Sequence, residues 1–487
     1  MAKELARGRV VAVACPLFIV LLALLSYSGA INAEDLAAET CHLEGWSQPL
    51  RCYQVPVGGA DQSQNLAVAV APAVNPDGSE PLYLLAGGPG QAASHLAPLL
   101  PSLAKVNRNR DIVMVDRRGS GRTGAFECGI EDELPPDLDA FAGLVSDCYD
   151  QQRQRTEGLN SRQTVDDLEQ VRVSLGHEKI ALWGGSWGTR TALLYQQWYP
   201  QSISALVLDA VAPIEAKVFL SAQAAEQALQ QLQDACMEDK SCAGLGDWRG
   251  DLDRLLNEWE TGESRLADPL TGAPMPRRVP RWELANAVRT ALYDPGAAAQ
   301  LPYVIHQAAR GNLLPLSGLS SLFLPASDTM SMGLTFSVAC AEELNRTSAE
   351  EVAADSRDTF LGTGFIDIFR TACGVWPVQE RSYPEPERRE HPVLLISGSA
   401  DPITPPEYAD TRLDYLSHKQ HLVVDGGGHI NTRRGCIPEL IASFLDAPEQ
   451  PLDSACVKDI RRPPFMADAF GPALDAEPLA EVGEVAQ

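Results

Sequence analysis

The sequence feature that most constrains the fold lies at residues 180–198, where an apolar run leads into Gly184-Gly185-Ser186-Trp187-Gly188. The apolar run predicts a buried strand, and residues 189–198 predict a helix. A serine between such a strand and helix, with glycines two residues before and after it, is typical of a nucleophile elbow. This turn exposes the hydroxyl and directs backbone N–H groups toward developing negative charge. The sequence therefore predicts Ser186 as a nucleophile, with an ordinary glycine-rich loop as the alternative.

Short apolar strands alternate with amphipathic helices along much of the chain. This alternation predicts an α/β fold whose mostly parallel sheet carries helices on both faces. The predicted strands are residues 65–71, 82–86, 111–116, 180–183, 205–209, 392–397 and 421–424. Residues 164–175 have the spacing of a helix, whereas the acidic residues 128–158 are predicted to be irregular.

The pattern changes between residues 213 and 390, where strand signals fade and helical segments rich in Ala, Leu and Gln are separated by prolines. Helices are predicted at residues 222–235, 252–259, 282–292, 301–309 and, closing the fold, 436–445. We interpret residues 213–390 as a helical cap, so that the α/β core has two parts, 34–212 and 391–460. The tail at 461–487 lacks periodicity and is predicted to be partly disordered.

The N-terminus has the layout of a signal peptide over residues 1–33. Basic residues precede an apolar run at 10–25, and small residues follow it. A membrane anchor is the alternative, but the run is short and Pro16 interrupts it. We therefore expect an exported chain, periplasmic or secreted, with no membrane association after cleavage. The net charge of −26 argues against nucleic acid or an anionic membrane surface as a partner.

Ten of the eleven cysteines remain once Cys15 is removed with the signal peptide. An even number in an exported chain predicts disulfides, although sequence alone does not prove their pairing. Pairing of neighbours along the chain would give Cys41–Cys52, Cys128–Cys148, Cys236–Cys242, Cys340–Cys373 and Cys436–Cys456. The sequence has no CxxC pair, HExxH motif, phosphate-binding loop or dinucleotide fingerprint, so we predict neither a metal site nor a cofactor.

A serine nucleophile needs a histidine base that is oriented by a carboxylate. In sheet hydrolases the chain order is serine, acid, histidine, with each group at the carboxyl end of a strand. Asp401 follows the strand at 392–397, and His429 follows the strand at 421–424 through three glycines. We predict Asp401 and His429 as the partners of Ser186. Asp209, at another strand end, is the alternative acid.

An oxyanion hole is predicted from two backbone donors. The Trp187 N–H follows the nucleophile, and the turn Gly87-Gly88-Pro89-Gly90 follows the strand at 82–86. Because Pro89 has no N–H, we choose Gly88 over Gly90.

Together these motifs resemble those of α/β-hydrolase peptidases. Over about residues 38–460 the chain is similar to the proline iminopeptidases, and more closely to exported tripeptidyl-aminopeptidase-like enzymes. The matching segments are Gly87–Gly90, Asp116-Arg117-Arg118-Gly119-Ser120-Gly121, Gly184–Gly188, Asp401-Pro402 and Gly428-His429. One departure is Ala86, where iminopeptidases usually carry histidine, which puts strict proline specificity in doubt.

The resemblance implies an α/β-hydrolase fold and release of residues from the N-terminus of peptide substrates. It also implies that acids of the cap bind the free amine, and Glu342 and Glu343 are the matching candidates. Solvated helix acids are the alternative for that pair. An esterase or lactonase with the same triad, and an inactive binding module, remain alternative functions. The sequence leaves open the oligomeric state and the number of residues released per cleavage.

Overall fold

The computed structural model describes residues 36–58, 63–126, 128–129, 137–260, 266–268, 270–274, 279–323, 330–383 and 385–472. The predicted signal peptide and the end of the tail, 473–487, lie outside the described residues. The strands are β1 Glu39–Leu43, β2 Trp46–Val57, β3 Gln64–Ala71, β4 Leu82–Leu85, β5 Ile112–Val115, β6 Ile180–Gly185, β7 Ile203–Asp209, β8 Val393–Gly398, β9 Lys419–Val424, β10 Met466–Asp468 and β11 Gly471–Pro472.

The helices alternate with the central strands and then dominate the segment between β7 and β8. They are α1 Ala104–Asn107, α2 Leu138–Thr156, α3 Ser161–Ser174, α4 Trp187–Trp198, α5 Ala222–Glu238, α6 Lys240–Ala243, α7 Trp248–Trp259, α8 Arg281–Ala291, α9 Pro295–Ala298, α10 Leu301–Ala308, α11 Leu314–Phe323, α12 Met332–Glu342, α13 Ala349–Ser356, α14 Gly364–Val375, α15 Pro406–Arg412 and α16 Ile437–Asp446. Short 3-10 helices lie at Ala93–Leu99, Gly121–Thr123, Pro200–Ser202, Leu344–Arg346 and Ala455–Asp459.

Strands β1 to β9 form one sheet in the order β1-β2-β3-β5-β4-β6-β7-β8-β9. The pairs from β5 to β9 are parallel, and β1, β2 and β3 add an antiparallel edge. In register, Gly185 of β6 lies opposite Asp209 of β7, which lies opposite Ile396 of β8. The carboxyl ends of these neighbouring strands therefore meet at one edge, and the fold predicted from sequence is confirmed.

Both faces of the sheet are covered, which explains why its central strands are continuous apolar runs. Leu182 belongs to the same buried cluster as Val165 of α3 and Leu193 of α4. The next residue, Trp183, points to the opposite face and shares a cluster with Phe444 of α16. The sheet is thus the middle layer of three.

The described residues between β7 and β8 contribute α5 to α14 and no strand of the main sheet. Many of their apolar side chains form a separate cluster that includes Leu232, Trp248 and Val304. The predicted helices at 222–235, 252–259, 282–292 and 301–309 correspond to α5, α7, α8 and α10. The helices α6, α9 and α11 to α14 were not predicted. The exact domain boundaries stay predictions.

One expectation about local structure is wrong. Residues 128–158 contain the helix α2, whose N-cap Asp137 accepts from Ala140 N at 2.8 Å. Only a narrow stripe including Phe141 and Val145 is buried, so its apolar period is weak. In the described part of the tail, residues 461–472, β10 and β11 pair and Met466 N donates to Ala299 O at 3.1 Å. The partial disorder of the tail stays a prediction, because its remaining residues lie outside the described part.

Five disulfides join cysteines that neighbour one another along the chain: Cys41–Cys52, Cys128–Cys148, Cys236–Cys242, Cys340–Cys373 and Cys436–Cys456. This is the pairing that the sequence left open. Cys340–Cys373 links α12 to α14, and Cys41–Cys52 links β1 to β2. Among the described helices, none combines the length and the apolar character needed to cross a membrane.

Candidate active site

Ser186 occupies a strained turn between β6 and α4. Its φ of 55° and ψ of −123° lie outside the regions that serine normally adopts, at a typical cost of about 1–3 kcal/mol. A Cβ on Gly184 would lie 2.5 Å from Gly188 O, and one on Gly188 would lie 2.0 Å from Leu85 O. Both flanking glycines are therefore required by close backbone approach, in agreement with the spacing of the motif.

Asp401 and His429 form a hydrogen-bonded pair at the ends of β8 and β9. His429 Nδ1 lies 2.9 Å from Asp401 Oδ2 and 3.0 Å from Oδ1. The buried carboxylate also accepts from Ile403 N, Thr404 N and Thr404 Oγ1, each at 2.9 Å. Since an ionised carboxylate only accepts, this pairing places the proton on Nδ1 and leaves Nε2 available as a base.

A cavity of about 500 Å³ lies at this edge of the sheet. Ser186 and His429 both line it, although no hydrogen bond joins them among the described contacts. In enzymes without bound substrate such catalytic bonds are often long and tighten in the complex. The walls are largely apolar and aromatic, and they include Phe219, Phe365 and Phe369. Gly88 and Trp187, the predicted oxyanion residues, line the same cavity.

The turn that carries Gly88 is held from behind by Arg117. The guanidinium donates to Gly87 O at 2.9 Å and to Ala86 O at 3.3 Å. Because the C=O and N–H of a trans peptide point in opposite directions, the Gly88 N–H is directed away from Arg117. Burial lowers the pKa of Arg117 to about 10, which leaves it cationic at neutral pH. Arg117 thus orients the turn.

Asp209, the alternative acid, has a different set of partners. It accepts from Asn431 N at 2.8 Å, from Thr432 N at 2.6 Å and from Thr432 Oγ1 at 2.7 Å. Burial raises its pKa to about 6, and these donors oppose that shift. Trp183 Nε1 donates to the same threonine hydroxyl at 2.9 Å. Asp209 therefore anchors the loop that follows His429, whereas Asp401 contacts the imidazole.

Glu342 and Glu343 do not line the cavity, and both are buried with partners of their own. Glu342 accepts from Ser161 N at 2.6 Å and from Ser161 Oγ at 2.8 Å. Glu343 accepts from Phe219 N at 2.6 Å and pairs with Arg190 at 3.2 Å. Burial raises the pKa of both carboxyls. The alternative of solvated helix acids is wrong, and the predicted amine-binding role gains no support from these contacts.

Sequence reasoning missed several residues around the imidazole. The Tyr293 ring lies edge-on to the His429 ring at a centroid distance of 4.9 Å, and Tyr293 O accepts from His429 N at 2.9 Å. A Cβ on Gly428 would lie 2.3 Å from that carbonyl, which explains one glycine of the approach to His429. Thr404 follows the Asp401-Pro402 motif, and Arg117 lies within the matched segment at 116–121, so the sequence offered a signal for both. Tyr293 comes from the cap segment and had none.

The described residues contain no group of three or more His, Cys, Asp or Glu side chains that could hold a metal ion. Residues 80–432 match the family model described as the α/β hydrolase fold. The chain therefore belongs to the α/β hydrolase fold family, and it is a hydrolase.

Several of its relatives carry peptidase names. The chain is 34% identical over 137 residues to the proline iminopeptidase of Neisseria gonorrhoeae, a match that covers 28% of this chain and 34% of that protein. It is 24% identical over 401 residues to the tripeptidyl aminopeptidase of Streptomyces coelicolor, covering 74% and 72% of the two chains. It is also 24% identical over 310 residues to the serine protease Hip1 of Mycobacterium tuberculosis, covering 57% and 58%. The chain thus spans about a third of the first relative's length, and the predicted resemblance is confirmed.

Proposed function

We propose that this hydrolase is an exported serine exopeptidase that releases residues or short peptides from the free N-terminus of peptide substrates. Ser186 is the nucleophile, His429 the general base and then acid, and Asp401 the group that orients the imidazole. Gly88 and Trp187 supply the backbone donors of the oxyanion hole. The observation that carries the proposal is the Asp401–His429 hydrogen bond beside Ser186 in one cavity.

The reaction follows from these positions. Ser186 Oγ attacks the scissile carbonyl while His429 Nε2 takes its proton, and Asp401 stabilises the imidazolium that forms. The backbone donors stabilise the negative charge of the tetrahedral intermediate. Its collapse breaks the amide bond, the imidazolium protonates the leaving amine, and an acyl-enzyme remains. Water activated by the same histidine then releases the acid product and restores the serine.

We propose peptides rather than esters as the natural substrate because the three relatives described above carry peptidase names. Two of those names specify action at a peptide terminus, as iminopeptidase or aminopeptidase, and they support the exopeptidase proposal. Export is supported by the five disulfides, which persist in oxidising compartments. Neither leaving group nor cleavage position is fixed by the triad itself.

The test uses the mature protein and its Ser186→Ala variant. We expect a fluorophosphonate probe to label the native protein and not the variant, and peptidyl arylamides to be hydrolysed only by the native protein. Aryl esters are assayed in parallel. Ester turnover without aminoacyl or peptidyl release would support the esterase alternative. A native protein that the probe does not label would contradict the nucleophile assignment and support an inactive binding module.

A further inference from the structure

The cavity around Ser186 is cationic, in contrast to the acidic chain that surrounds it. Two arginines, Arg289 and Arg433, line it, whereas none of its lining residues in the described part of the chain is Asp or Glu. The chain as a whole carries a net charge of −26. A local reversal of charge in a pocket with low-dielectric walls attracts an anionic ligand. The two arginines of the lining are therefore the candidate side chains for binding an anionic ligand.

Arg289 of α8 is the buried member of the pair, with 7% of its surface exposed. Its polar partners are neutral: Nε donates to Asn286 Oδ1 at 3.1 Å, and Nη1 donates to Tyr293 Oη at 3.0 Å. Its guanidinium carbon lies 4.0 Å from the centroid of the Phe365 ring, which fixes its plane. Among the described contacts, no carboxylate pairs with it and Nη2 has no hydrogen-bond partner.

A second deeply buried arginine, Arg190, differs from Arg289 in having a carboxylate partner among the described contacts. Arg190 is also stacked on an aromatic ring, that of Trp187 at 4.1 Å, but it has a carboxylate partner in Glu343 at 3.2 Å. A buried cation without an anion is unfavourable, and an arginine presents donors in a planar fork suited to a carboxylate. Arg289 therefore has the aromatic stacking of a paired arginine and lines the cavity, while none of its described contacts is an anion.

The position of Arg289 relates this anion to the reaction. The Tyr293 hydroxyl accepts from Arg289, and the Tyr293 ring contacts the His429 ring. The backbone carbonyl of Tyr293 accepts from the backbone N–H of His429 at 2.9 Å. A single side chain thus separates the guanidinium from the imidazole. Apolar groups such as Phe365 and Met332 line the cavity with it. A ligand suited to this arrangement has an apolar portion and a carboxylate close to the bond that Ser186 attacks.

We propose that Arg289 binds a carboxylate of the substrate and makes this hydrolase selective for anionic substrates, an inference that rests on the proposed function. In a peptide the carboxylate comes either from an acidic side chain or from the C-terminus of a short chain. Both sources present the same planar group to the guanidinium. Arg433 is exposed at the same cavity and adds positive potential without the buried geometry.

The experiment measures kcat/KM for matched substrate pairs. One pair exchanges glutamate for glutamine near the cleaved bond, and a second exchanges a C-terminal acid for its amide in a tripeptide. A third compares the aryl monoester of glutaric acid with the aryl ester of pentanoic acid. We expect the native protein to prefer the carboxylate member of the ester pair and of at least one peptide pair by about 10- to 100-fold. The peptide pair that responds identifies the carboxylate source.

Arg289→Gln is expected to reduce that preference to within about threefold while hydrolysis of the neutral member persists. Arg289→Lys keeps the charge but not the fork and should restore part of the preference. The control is Arg357→Gln, which alters an exposed arginine outside the cavity lining. Thermal unfolding and fluorophosphonate labelling verify that each variant is folded and reactive.

The outcomes separate this inference from the proposed function. Peptide cleavage by the native protein without any carboxylate preference overturns the role of Arg289 and leaves the peptidase proposal intact. A preference that survives in folded Arg289→Gln also overturns it. If only esters are hydrolysed, the peptidase proposal fails, and selectivity within the ester pair then decides the role of Arg289. Retained selectivity that depends on Arg289 supports the arginine assignment.

Discussion

Two carboxylate regions of this molecule are similarly buried and have opposite surroundings. Asp401 faces a histidine that lines the cavity, whereas Glu342 and Glu343 face backbone amides, a serine and an arginine outside the cavity lining. Burial therefore does not distinguish a carboxylate of the candidate site from a structural one. The partner across the hydrogen bond does, because it decides whether charge can change during a reaction. Substitutions at Asp401 and in the Glu342–Glu343 pair test this difference.

The largest effect is expected from Asp401→Asn. The amide keeps the shape of the side chain but cannot stabilise the imidazolium, and it favours the wrong tautomer of His429. We expect kcat to fall by about 10⁴-fold with little change in thermal stability. Steady-state kinetics and circular dichroism check this. Asp410→Asn is the matched control, because Asp410 also contacts a histidine, His421 Nδ1, at 2.9 Å but lies outside the cavity.

The control should retain full activity. A decrease below tenfold for Asp401→Asn in a folded protein would contradict the role of this carboxylate. If Asp410→Asn lowered kcat by the same factor, the loss of any aspartate–histidine contact would explain the effect. The result would then give no support to a catalytic role of Asp401.

Glu343→Gln should instead reduce stability. It removes the anion that pairs with Arg190, and both side chains are buried. Breaking such a pair leaves an uncompensated charge, which costs about 3–5 kcal/mol of unfolding free energy. Glu351→Gln is the control, since Glu351 pairs with Lys217 at 2.6 Å on the surface, where such a pair contributes about 0–1 kcal/mol. Denaturant unfolding of both variants measures the difference, and equal values would contradict the structural role.

Sequence predicted the core well because parallel sheets impose strong local patterns. Each parallel strand was recognised as an apolar run, and the order of Ser186, Asp401 and His429 followed from strand ends. The strands β1 and β2 were missed because β1 is mostly exposed and β2 contains Pro49 and Pro56, which argue against a strand. Their place in the sheet depends on pairing with β3, a contact that has no local signature.

The cap contribution to the site could not be predicted for a related reason. Arg289 and Tyr293 lie one helical turn apart in the α8 region, and their neighbours in sequence carry no chemical motif. Their proximity to His429 arises from packing of the cap on the loop after β9, where the Tyr293 carbonyl meets Gly428. Glu342 and Glu343 matched a family pattern, yet their partners Ser161, Phe219 and Arg190 are distant in sequence.

Asp209 is a third buried carboxylate outside the Asp401–His429 pair, and we expect its contribution to stability to depend on pH. Burial raises its pKa from 3.8 to about 6 in the folded chain. The folded state therefore holds its proton more tightly, and this contribution to stability is complete below about pH 4 and is lost as the pH rises through 6. The corresponding free energy is ~3 kcal/mol. Asparagine does not titrate, so as the pH rises from 4 to 7 the unfolding free energy of Asp209→Asn should increase relative to that of the native protein by up to that amount.

Denaturant unfolding at several pH values measures this difference. A stability difference that is independent of pH would contradict the raised pKa and would mean that the donors from Asn431 and Thr432 keep Asp209 ionised throughout the range. Asp410→Asn again serves as the control, because the Asp410 carboxylate is exposed.

The smallest effect is expected for Glu342→Gln, measured as the ratio of kcat/KM for free and N-acetylated forms of one peptide. Since Glu342 bonds to Ser161 and does not line the cavity, we expect the ratio to remain within about twofold of the native value. A carboxylate that bound the substrate ammonium would instead change it by about 10- to 100-fold. A change of that size in a folded variant would restore the amine-binding prediction and would mean that the cap rearranges to bring Glu342 to the cavity.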